Sequence, residues 1–174
     1  VRDQIMRAVS GLFPYVHSVY PELLNENGDI EKERAIKLLQ TRLMFYNPEK
    51  NYTCRWFDME IKGIFGLDVF AHPFDTVKGF SIIQHGNVDL LILRLEDLNR
   101  SFAEAVNQFL ELDSPLELIS SNVRSEQKRG STYDQVRQEL TLRDSICRKI
   151  YASNYARHFY SAAEIEQFIQ KWSG

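Results

Sequence analysis

Apolar positions recur at three- and four-residue steps from the start of the chain. Ile5, Met6, Val9, Leu12 and Phe13 share one face of a helix predicted from Arg2 to about His17, with Pro14 expected to kink its last turn. A polar turn from Glu22 to Asp29, broken at Asn27-Gly28, separates it from a second helix over Ile30 to about Phe45. Ile36, Leu39, Leu43 and Met44 form that helix's stripe, and Asp29 is the expected N-cap. Asn47-Pro48 ends it. A third helix follows from Thr53 to Phe65, with Gly66 placed to stop it.

The period then changes from helix to strand. Gly79 to Gln84 and Val88 to Leu93 read as strands, and His85-Gly86-Asn87 between them favours a hairpin. The unbroken apolar run Leu90-Leu91-Ile92-Leu93 predicts a strand covered on both faces. Leu95 to Leu110 is again helical. Leu116 to Ser120 is a short extended candidate, and Ser125 to Thr132 a polar, basic loop. Tyr133 to Leu140, Arg143 to Ser153 and Ala162 to Lys171 close the chain as helices. Ser161 and Glu164 make a capping box for the last of them. No repeat, low-complexity tract or second domain stands out, so residues 1–174 read as a single domain.

Composition narrows the partners. Of 174 residues, 44% are hydrophobic and 26% charged, ordinary values for a folded domain with a core. A net charge of −3 argues against a dedicated nucleic-acid or anionic-membrane binder, while leaving room for a local anion site. No apolar run approaches a membrane span. Cys54 and Cys147 lie far apart, without metal-ligand spacing, and a reducing cytoplasm is the simpler expectation.

Several groups of residues could carry chemistry. Arg2 offers a planar fork of donors to a phosphate, and Ser10, eight residues on, is rotated by about 80° on a helix. A helix N-terminus between them would add its dipole and N–H groups. The alternative is a surface arginine and an ordinary helical serine. Glu96 and Asp97 follow a buried strand, where open α/β sheets place ligands, yet Asp97 equally suits an N-cap. Lys128, Arg129 and Gly130 form a basic turn able to fold over an anion, or a solvated loop. Asp58 and Glu60 are two apart and share no helical face, so no carboxylate dyad is expected, and Trp56 and Phe57 read as core. Tyr52, Trp56 and Phe80 could stack on a sugar or fill the interior. His17, His72, His85 and His158 are scattered without zinc-ligand neighbours, and no metal is expected.

Val1 to Ser10 resembles the 3′-phosphate-binding motif of the sulfotransferases, which take a sulfuryl group from 3′-phosphoadenylyl sulfate (PAPS). That family usually has proline after Arg-Asp, where this chain has Gln4. Leu93-Arg94-Leu95-Glu96-Asp97-Leu98 is similar to a later strand of the same fold, which ends in Arg-x-Glu-Asp-Leu. More narrowly, the chain resembles a bacterial sulfotransferase-like group of capsular polysaccharide synthesis. Trp56 to Ile61, Gly66 to Val69, Pro73-Phe74-Asp75, Lys78-Gly79, His158 to Ser161, Glu164-Ile165 and Trp172 carry this likeness, which covers essentially the whole chain. Where that group shows an Asn-Lys-Trp-Tyr-Ser-like stretch, this chain has Gln127-Lys128-Arg129-Gly130-Ser131, and only Lys128 and Ser131 match.

The resemblance implies a P-loop-like, three-layer α/β core, here partial and helix-rich with few strands. It implies that Arg2 and Ser10 hold the 3′-phosphate of PAPS and that Lys128, Arg129 and Gly130 close over it. The sulfuryl group would pass in line to a saccharide hydroxyl. Sulfotransferases carry the Gly-containing phosphate loop and the His or Glu base upstream of the Arg/Ser motif, and no Gly-Lys-Ser/Thr loop occurs in this sequence. The chain is therefore expected to be the C-terminal portion of a longer domain, with the catalytic base unassigned and little activity alone. A non-catalytic module binding glycan or a partner protein, and a kinase-like phosphotransferase, remain the alternatives.

Overall fold

A buried aspartate starts the first helix. Asp3 is 2% exposed, and its carboxylate accepts from the main-chain N–H groups of Ile5 and Met6, capping α1 (Gln4–Leu12). The computed structural model describes residues 1–114, 116, 118 and 129–174. After α1, the Pro14 region tightens into a 3₁₀ turn, Phe13–Tyr15, before a single helical turn α2 (Val16–Val19). α3 (Lys32–Met44) begins two residues later than the pattern predicts and is not capped by Asp29. Ile30 instead bridges Leu24, and Glu31 N–H donates to the Leu23 carbonyl, so the backbone ahead of Lys32 is already committed.

The third predicted helix is interrupted. α4 (Tyr52–Trp56) runs into a π-helical turn, Phe57–Lys62, and ends in α5 (Gly63–Phe65), with Gly66 left-handed at φ 72°. β1 (Phe80–His85) and β2 (Val88–Leu93) pair antiparallel through Phe80↔Leu93 to His85↔Val88, the expected hairpin. α6 (Leu98–Leu110) packs on both strands. α7 (Arg129–Glu139) begins inside the stretch expected to be a loop, and α8 (Asp144–Tyr151) follows. α9 (Asn154–Phe159) falls where the pattern showed none. α10 (Ala162–Ser173) opens with the predicted capping box: Ser161 N–H donates to the Glu164 carboxylate at 2.8 Å and Glu164 N–H to the Ser161 hydroxyl at 3.3 Å.

The fold is helix-rich α/β, and among the described residues its sheet is this two-stranded hairpin. Two compact units divide the chain. The first holds Val1–Arg2, Asn47–Ile119 and Tyr151–Glu166; the second holds Asp3–Tyr46, Ser120–Ile150 and Gln167–Gly174. Aromatic rings fill the first unit, where Phe159 meets Phe57, Phe74 and Tyr155 at centroid distances of 5.1–5.3 Å. In β2 only Ile92 is buried, so the apolar run is not covered on both faces. A hairpin with one helix packed on it leaves part of the run half exposed. In the second unit α1, α3 and α7 pack on one another through Ile5, Val9, Leu39 and Val136, all at most 1% exposed.

Candidate functional site

The first unit joins Val1 to the end of β2 by main-chain bonds. Val1 N donates to the Leu93 carbonyl and Leu95 N–H donates to the Val1 carbonyl, both at 2.8 Å. Bonding to the residues on either side of Arg94 is the pattern of a parallel bridge. Arg94 N–H points the other way and donates to Gly79 at 2.9 Å, so Val1 lies on the β2 edge opposite β1. Arg2 therefore directly follows the residue that is bonded to the end of β2. Its backbone is held there by the Tyr155 hydroxyl, which accepts from Arg2 N–H and donates to the Arg2 carbonyl, each at 3.1 Å. Nothing in the sequence pairs residues 2 and 155, because their meeting is made by the tertiary fold.

Arg94 organises the neighbouring segment. It is 3% exposed, and its guanidinium pairs with Asp97 and, at 2.8 Å, with Glu164. It also donates to the main-chain carbonyls of Phe159 at 3.1 Å and Thr76 at 3.0 Å, and lies over the Tyr160 ring. Asp97 is shared with Arg100 at 2.7 Å and makes no side-chain cap to α6, so its expected N-cap role is replaced by ion pairing. Gly79 makes room for this: its φ is 76°, and a Cβ there would come within 2.5 Å of the Asp97 Cβ. Glu96 accepts from the Tyr160 hydroxyl at 3.2 Å. The Arg-x-Glu-Asp stretch thus locks the hairpin end to α9 and to the start of α10.

The second unit contains Ser10, Arg129 and Gly130. Ser10 donates to the Arg7 carbonyl within α1 at 3.2 Å. The first N–H groups of α1 do not wait for an anion, since Asp3 takes those of Ile5 and Met6 and also accepts from the Trp172 indole at 3.2 Å. A buried carboxylate at a helix start satisfies the donors and the dipole together. Arg129 and Gly130 form the first turn of α7, which corrects the flexible loop expected there, and Lys128 lies outside the described residues.

Among the aromatics, the expectations divide. Phe80 is core at 3% exposure, with the Lys78 ammonium 5.7 Å from its ring centre. Trp56, expected in the core, is 37% exposed, and Tyr52 is exposed as well. Cys54, Phe57 and Ile61 form the inward face, and Trp56, one residue before Phe57, turns about 100° away. The Tyr52 hydroxyl donates to the Glu60 carboxylate at 2.8 Å, which raises its pKa above the ordinary phenol value. His158 packs edge-on against Phe70 at 5.1 Å, and burial lowers its pKa below the ordinary imidazole value. Among the described residues, no cluster of three or more His, Cys, Asp or Glu side chains could hold a metal, and no helix is long and apolar enough to cross a membrane.

No curated protein and no solved structure matches the chain. A family model does match, over residues 27–161, and its description is putative capsular polysaccharide synthesis protein (NKWYS). The matched stretch takes in α3, the hairpin, Arg94 with Asp97, and α9, well over half of the sequence, and so the chain belongs to this capsular polysaccharide synthesis family.

Proposed function

We propose that this chain is sulfotransferase-like and serves capsular polysaccharide synthesis by moving a sulfuryl group from PAPS to a saccharide hydroxyl. The observation that carries the reading is the parallel bridge between Val1 and the end of β2. It ties the residue before Arg2 to the end of β2, and Arg2 lies directly before α1 in the chain, which supports a reading of Arg2 as an anion-binding side chain. Arg2 would grip the donor's 3′-phosphate by its guanidinium fork. Asp3 already caps α1, so the side chains rather than the helix N–H groups must hold the phosphate.

In the transfer itself, the bond from sulfur to the bridging phosphate oxygen breaks as the acceptor oxygen bonds to sulfur. The acceptor's proton passes to a base, and 3′,5′-ADP leaves with the bridging oxygen. No described residue is assigned as that base. Tyr52 and Trp56, both exposed, and the Glu60 carboxylate bonded to Tyr52 supply ring faces and a polar group suited to sugar stacking and hydroxyl recognition.

Calorimetric titration of the full-length protein with 3′,5′-ADP tests the donor site. Arg2→Ala is expected to weaken binding by about 1.5–3 kcal/mol, the range for a charged hydrogen bond. Unchanged affinity in that variant removes Arg2 from the site. Absence of any 3′,5′-ADP binding to the parent protein favours the non-catalytic module, a reading already helped by the capped α1 N-terminus.

A further inference from the structure

The second unit has an open pocket of about 530 Å³, within the size range of small-molecule sites. Its wall is assembled from Gln40, Thr41 and Met44 on α3, Leu142 and Arg143 in the connection before α8, and Ser173 at the end of α10. Two bonds fix that wall in place. Gln40 Nε2 donates to the Thr141 carbonyl at 2.9 Å, and Leu142 N–H donates to the Trp172 carbonyl at 2.8 Å. The pocket is therefore formed before any ligand arrives.

The polar groups left over define what would fit. Arg143 has, among the described residues, only the Met44 thioether as a partner, at 3.6 Å. Sulfur is a weak acceptor, so most of the five guanidinium donors are unspent. The neighbouring Asp144 is committed to Arg148 at 2.8 Å and does not neutralise Arg143. Gln40 has used a donor on Thr141, and Thr41 has used its hydroxyl proton on the Lys37 carbonyl at 2.8 Å. Gln40 keeps its second amide N–H and its carbonyl oxygen, and Thr41 keeps its oxygen as an acceptor. Leu142 and Met44 add an apolar surface.

One planar donor fork beside amide and hydroxyl groups that can both donate and accept suits a ligand with a single carboxylate and several hydroxyls. We propose that the pocket binds an acidic saccharide: a hexuronate residue, with its carboxylate on Arg143, its hydroxyls toward Gln40, Thr41 and Ser173, and its C–H face on Met44 and Leu142. The choice of a saccharide rests on the family's link to polysaccharide synthesis, and no part of the assignment needs PAPS.

The test is an amide-resolved NMR titration of the ¹⁵N-labelled protein with D-glucuronate, D-glucose and acetate. Glucuronate is expected to shift the amides of residues 40–44, 141–146 and 173, with glucose and acetate each binding at least about tenfold more weakly. Arg143→Gln is expected to lose about tenfold in glucuronate affinity while the rest of the spectrum stays in place. No shift at these residues with millimolar glucuronate overturns the site, as does an Arg143→Gln variant that binds like the parent. Acetate equal to glucuronate overturns the saccharide. Loss of 3′,5′-ADP binding in the earlier experiment leaves each of these outcomes unaffected.

Discussion

At the scale of single residues, Arg94 and Asp3 show how much a buried charge depends on its partners. Arg94 has lost nearly all its water and has in exchange two carboxylates, two main-chain carbonyls and a tyrosine ring. Replacing it with methionine would leave Asp97 and Glu164 beside an apolar chain. Breaking a buried pair from one side costs about 3–5 kcal/mol, so Arg94→Met is expected to lower unfolding stability in urea by that amount. Asp3 serves α1 and Trp172 at once. Asp3→Ala is expected to cost about 1–3 kcal/mol through the lost cap and the orphaned indole N–H, while Asp3→Asn, which keeps one acceptor oxygen, should lose less. Equal losses in the two variants, measured in urea, would show that charge rather than capping holds the position.

Among the elements, those set by local rules agree with their sequence signals. The α1 stripe, the hairpin with Gly86 at its turn, the Gly66 stop and the Ser161–Glu164 box all depend on residues within a few positions of one another. Departures occur where another bond competes with the helix signal. α3 starts late because residues 23–31 close their own backbone bonds first, and Asp97 leaves the cap of α6 to pair with Arg94 and Arg100. The π turn in Phe57–Lys62 is a further departure, since apolar periodicity cannot separate it from a plain helix over so few residues. It lies next to exposed Trp56 and Tyr52, in the segment proposed above for sugar contact.

The whole molecule decides the chemistry of its two cysteines. Both are free and buried, and burial raises the Cys147 thiol to about 11, with Asp144 and Asp3 adding to the rise. Native protein at neutral pH should therefore react slowly with a thiol reagent such as 5,5′-dithiobis(2-nitrobenzoate), and the rate should rise with urea along the unfolding curve. Fast stoichiometric reaction at Cys147 without denaturant would contradict the packing of α8. The sequence alone sufficed for the helix-rich α/β class, the hairpin, the Gly66 stop, the Ser161–Glu164 capping box and the capsular polysaccharide synthesis family, because these follow from short-range periodicity and from motif order. It also singled out Arg2, Ser10 and the Arg94 stretch as chemically notable. Only the tertiary structure showed that Val1 bridges β2, that Tyr155 holds Arg2, that Arg94 is a buried ion-pair hub and that Arg143 edges a pocket. Each of those rests on partners brought together from far along the chain, and no local pattern encodes such a meeting.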